Sequence, residues 1–180
     1  MKELILDIVQ NSVAAGAAHI SILLSEDQNH RLTVAIQDNG CGMTPEALSR
    51  VSDPFTTSRT TRKVGLGIPL YRMVAELTGG GVEIQSSQGV GTTVNAVFHT
   101  DHLDCPPLGN IAQVIALLIQ GNPHIDFTYR HTTPKGEAEL LTTELRAALG
   151  EEISLAEPEI FLWIQDYINE QEAQSEGADR

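Results

Sequence analysis

The sequence predicts an α+β fold, a two-layer α/β sandwich in which a mixed sheet is covered on one face by helices. Two observations predict it. The first hundred residues run in the order α-β-β-α-β-β, with polar or glycine-rich turns joining each pair of strands. The long helical stretches among them are amphipathic, so each offers one face to a sheet and one to water. A chain of 180 residues is long enough for one domain with a sizeable core, or for a domain plus a small appendage.

The first helix falls in "LILDIVQNSVAAGA", residues 4–17, where Leu4, Ile5, Ile8, Val9 and Val13 form an apolar stripe. Asp7 and Asn11 lie four apart on its polar side, where solvation alone would account for them. "HISILLS" (19–25) and "LTVAIQD" (32–38) are strands rich in β-branched residues, joined as an antiparallel hairpin. "DNGCGM" (38–43) is a glycine turn, and "TPEALSRV" (44–51) starts a helix with Thr44 as its cap and Pro45 in its first turn. Residues 52–67, "SDPFTTSRTTRKVGLG", have no periodicity and many hydroxyls, bases and glycines, the composition of a functional loop. "IPLYRMVAELTGG" (68–80) is a second amphipathic helix, ended by Gly79 and Gly80. "GVEIQSS" and "GTTVNAVFHT" complete the set as strands joined by "QGVG".

The pattern breaks at "DHLDCPPLGN" (101–110), which places a boundary between residues 1–104 and 105–180. The second part reads as a small acidic α+β appendage: an apolar helix over 111–122, a strand near 125–131, a helix over 142–150 capped by Thr142 or Thr143, and a helix over 157–171 with a tail expected to fray. In that last helix Ile160, Phe161, Trp163, Ile164, Tyr167 and Ile168 recur at helical spacing, which favours core over a partner-binding face.

Composition excludes several classes. The formal charge is −13, and residues 105–180 hold 4 Lys and Arg against 13 Asp and Glu, so no basic face exists to grip nucleic acid. No apolar run approaches the roughly 20 residues that span a bilayer. The start, Met-Lys-Glu-Leu, lacks the basic region of a signal peptide, so a cytoplasmic protein without membrane association is expected. Cys41 and Cys105 are too few and too irregular for a disulfide framework or a zinc site. His99 and His102 in "HTDH" offer a metal pair, but they sit at a strand end entering a linker, where solvated histidines are the rule.

Each glycine motif alone is an ordinary turn. Taken in order, "DIVQNSVAAGA" (7–17), "DNGCGM" (38–43), "KVGLGIPL" (63–70) and "GVGTTVNAVF" (89–98) resemble the histidine kinase, gyrase and MutL class of ATP-binding domains, the GHKL superfamily, and within it a stand-alone histidine-kinase-like ATP-binding protein. The resemblance implies the Bergerat-type ATP-binding fold over residues 1–104, with ATP and Mg²⁺ as ligands. It assigns Asn11 to the Mg²⁺ and Asp7, one turn earlier, to the attacking water; an i,i+4 pair brings the two side chains over one spot. Asp38 then accepts a hydrogen bond from the adenine amino group, beside Gly40, Gly42 and Met43. Thr57, Ser58, Lys63, Gly65, Leu66 and Gly67 form the phosphate side, with Arg59 and Arg62 adding charge, and Thr92 or Thr93 supplies a hydroxyl near the base.

One departure stands out. Many members of the class carry glutamate at the water-activating position, and Asp7 is shorter by one methylene, roughly 1.5 Å of reach. Binding is therefore expected to be firmer than hydrolysis. The resemblance starts at residue 1, so autophosphorylation of the sensor-kinase type is not expected. Three outcomes for the γ-phosphate follow: slow hydrolysis coupled through closure of the loop to a protein partner, transfer to a protein substrate as in anti-sigma-factor kinases, or no chemistry in a switch whose nucleotide only sets its shape or its dimerisation with a second copy.

Overall fold

The computed structural model describes residues 1–52, 67–150 and 153–177. Its elements are α1 (Lys2–Ala14), β1 (His19–Glu26), β2 (Arg31–Asp38), α2 (Pro45–Ser52), α3 (Gly67–Leu77), β3 (Gly81–Ser87), β4 (Gly91–His99), α4 (Ile111–Gly121), β5 (Asp126–Thr133), β6 (Gly136–Leu141), α5 (Thr142–Leu149) and α6 (Pro158–Gly177). Strands β1 and β2 alternate buried and half-exposed residues, as period-two patterning requires of a sheet covered on one side. The Thr44 hydroxyl accepts from the Ala47 N–H at 3.3 Å, capping α2 as its sequence predicts.

All six strands form one mixed sheet in the order β3-β4-β2-β1-β5-β6. The β1–β5 pair is parallel and every other pair antiparallel. Register lines up rows of side chains across it. One row runs Ile84, Val94, Ile36, Ile22, Tyr129, Leu140, and a second runs Val82, Ala96, Val34, Leu24, His131, Ala138. These rows lie under the helices, and α1 contributes Leu4, Ile5, Ile8 and Val9 to the same core. The third row, Ser86, Thr92, Asp38, Ile20 and Phe127, shares that face but is polar at three of its positions. Those polar positions are where the site forms.

Residues 105–180 contribute β5 and β6 to the sheet and α4 and α6 to its cover, so the core runs across the boundary at residue 104. Three local features depart from the sequence reading. Strand β6, "GEAELL", replaces an expected connection: Ala138 and Leu140 face the core while Glu137 and Glu139 face out, an alternation masked by the low strand propensity of Glu and Ala. Thr142 caps no helix; its fully buried hydroxyl accepts from the Phe127 N–H at 2.8 Å and ties α5 to β5. The polar tail after residue 171 stays helical to Gly177, with Ser175 buried against Gly136.

Candidate functional site

The site lies where the C-terminal half of α1 crosses the end of β2. Asp38 is its centre. One carboxylate oxygen accepts from the Ser12 hydroxyl at 2.6 Å, and the other accepts the N–H groups of Gly40 at 2.9 Å and Thr92 at 3.3 Å. The oxygen facing Ser12 retains a free lone-pair site, so the half-buried carboxylate can accept one further hydrogen bond. Thr92 lies on the same face and shares a 2.9 Å hydroxyl contact with Ser86, whose oxygen also accepts from the Met43 N–H at 2.9 Å. A recess of about 450 Å³ borders this cluster; it reaches from Asp38, Ser86 and Thr92 round the strand ends to Gln37, Gln85 and Thr93 on the helix-free face.

The glycine turn is built to hug α1. Asn39 accepts from the Ala18 and His19 N–H groups at 2.9 and 2.8 Å, and the Cys41 N–H donates to the Ala15 carbonyl at 2.9 Å. Gly42 is at φ 63°, and a Cβ there would lie 2.0 Å from the Ser87 carbonyl oxygen; no other residue fits.

Asp7 and Asn11 occupy one stripe of α1, Asp7 exposed and Asn11 half-buried. Gly67 of α3 packs against Asp7: a Cβ there would sit 3.0 Å from the Asp7 Cβ and 3.6 Å from its Oδ2. The described part of α3 thus adjoins the Asp7 carboxylate at Gly67. Among the described residues no three His, Cys, Asp or Glu side chains converge on one point. A divalent cation at Asn11 would therefore share its coordination with oxygens of a bound phosphate, the usual arrangement for Mg²⁺, and a carboxamide oxygen is a hard donor suited to it.

The structure brings together Asp7, Asn11 and Gly67 on one side and Asp38, Gly40, Gly42, Met43 and Thr92 on the other. Thr93 is elsewhere. It pairs with Gln37 and Gln85 in the row facing away from the helices, because successive strand residues point to opposite faces. Thr57, Ser58, Lys63, Gly65 and Leu66 lie outside the described residues, as do Arg59 and Arg62. Ser12 and Ser86 were missed by sequence reasoning. Ser12 carried a signal, a small hydroxyl on the apolar stripe of an otherwise aliphatic helix; Ser86 carried none until the register placed it opposite Thr92.

Residues 1–102 match the model of the histidine kinase-, DNA gyrase B- and HSP90-like ATPases. The chain belongs to this family. It is 30% identical over 100 residues to histidine protein kinase DivJ of Caulobacter vibrioides, covering 53% of this chain and 17% of that protein. To sporulation kinase E of Bacillus subtilis it is 30% identical over 102 residues, covering 55% and 13%. The chain thus matches less than a fifth of the length of these curated relatives. Among solved structures, the Aquifex aeolicus MutL ATPase domain complexed with ADP superposes with a TM-score of 0.50 at 17% identity, over 78% of this chain and 62% of that one. The superposition extends the likeness of fold beyond residue 102.

Proposed function

We propose that this family member binds Mg-ATP between α1, the Asp38 turn and the start of α3, and hydrolyses it slowly in step with a protein partner. The observation that carries the reading is the Asp38 carboxylate, held by three protein donors and left with one acceptor site. That acceptor suits the exocyclic amino group of adenine and would repel a guanine carbonyl at the same place. The carboxamide of Asn11 holds the cation at the phosphate end. Mg-ATP supplies a terminal phosphoryl group activated for transfer. Asp7, one turn before Asn11, orients water and accepts its proton. Its short side chain supports slow turnover, since about 1 Å of misplacement costs on the order of 100-fold.

A second reading, transfer of the phosphoryl group to a protein, is favoured by the kinases among the relatives. The fate of γ-labelled phosphate decides. Release as inorganic phosphate over hours, lost in Asp7→Ala with ATP affinity kept, supports hydrolysis. Label appearing on an added protein, with Asp7→Ala leaving water-directed release unchanged, overturns it in favour of the kinase.

A further inference from the structure

Far from the nucleotide site, on the outer edge of the sheet, a groove of about 470 Å³ runs between β6, α5 and α6. Its floor is Leu140, Leu141 and Leu145. Its wall is an aromatic pair: Trp163 and Tyr167 stack with ring centroids 4.9 Å apart and planes 16° from parallel. Trp163 is 48% exposed and the neighbouring Leu162 58%, while Ile164 and Ile168, on the opposite side of the helix, are buried in the core. The last helix thus divides its apolar residues between the core and this wall.

Three features define what the groove accepts. Glu137, Glu139 and Glu144 line it, and among the described residues no Lys, Arg or His does. Arg130 pairs with Glu137 and Glu139 from the helix-free face of the sheet, which leaves Glu144 without an ion pair among the described residues. The stacked rings present negative π-faces that attract a guanidinium or ammonium group. Finally, β6 is an edge strand. The Glu139 N–H points outward and donates to the Gln171 side chain at 2.8 Å, so alternation turns the backbone groups of Glu137 and Leu141 outward as well.

We propose that this groove docks an extended, Arg- or Lys-bearing segment of a partner protein, laid along β6 with one basic side chain over Trp163 and Tyr167 and another against Glu144. Charge complementarity carries the choice of occupant: residues 105–180 have a net charge of −9, from 4 basic and 13 acidic residues, so a second copy of this acidic surface would be repelled. Main-chain bonds to the outward groups of Glu137 and Leu141, on either side of the Glu139 N–H that Gln171 occupies, hold the backbone, and the aromatic wall anchors alternate side chains. The inference rests on the proposed function only in requiring a partner.

The test uses the full chain without nucleotide, so it fails or succeeds independently of ATP binding. Trp163 is the chain's single tryptophan and reports directly on the groove. The probes are two capped peptides, one alternating Arg and Val and one alternating Glu and Val. The proposal predicts a saturable change in Trp163 emission with the Arg-Val peptide alone, weakened by salt and about fivefold by Glu144→Gln. Amide shifts should map to β6, α5 and α6. No saturable change, an equal response to the Glu-Val peptide, or shifts elsewhere overturns it. Concentration-dependent dimerisation that buries Trp163 would assign the groove to a second copy and overturn it equally.

Discussion

At the scale of single residues, the site is a question of which side of a strand a hydroxyl occupies. Thr92 and Thr93 are chemically identical neighbours, yet only Thr92 shares a face with Asp38 and contacts Ser86. Thr92→Val should weaken ATP binding by about fivefold, the worth of one ordinary hydrogen bond. Thr93→Val should leave it unchanged; equal losses in the two variants, measured by titration calorimetry, would contradict the placement. Residues that a glycine or a helical period singles out are legible in the sequence: Asp7 and Asn11 share one stripe of α1, and Asp38, Gly40 and Gly42 meet in the turn after β2. Ser86 is not, because a strand serine has no pattern of its own and joins the site only through pairing register, while Ser12 offers only a hydroxyl on an apolar helix stripe.

Among elements, β6 and α6 show what local pattern leaves out. The strand's Glu-Ala-Glu run has little strand propensity and is held by pairing with β5, while α6 is held by a buried polar cluster. Tyr129 donates to Glu172 at 2.7 Å, and His131 Nδ1 lies 2.9 Å from both of its carboxylate oxygens. Burial pushes the Glu172 carboxyl up, but the hydrogen bonds from His131 and Tyr129, with the charge of His131, outweigh it and hold the group below its ordinary 4.5. A lowered folded pKa contributes stability that is fully present above the unfolded value and is lost as pH falls through the folded one. The unfolding midpoint should therefore decline below about pH 4.5 in a way that Glu172→Gln flattens. An identical acid limb in the two proteins would show that the cluster does not anchor α6 through its charge.

For the whole molecule, the family resemblance and the sheet end at different places. The family match stops at residue 102, yet β1 takes β5 as its parallel partner, and Phe127, Tyr129, Ile115 and Ile119 join the same core as Ile5 and Ile22. That connection was hidden because a parallel pairing between distant segments leaves no turn signal in the chain. Truncation after Thr100 exposes the edge of β1 and one side of this core, and should yield an aggregating fragment without cooperative unfolding. A soluble fragment that melts cooperatively and still binds ATP would show instead that residues 105–180 are an independent unit.

The most direct test of the nucleotide site is calorimetric titration of ATP into the parent and Asn11→Ala proteins, with and without Mg²⁺. The account predicts tighter binding with Mg²⁺ in the parent, a preference that disappears in the variant while Mg²⁺-free binding persists. Superimposable titrations of parent and variant in Mg²⁺, or no binding by the parent, would contradict it.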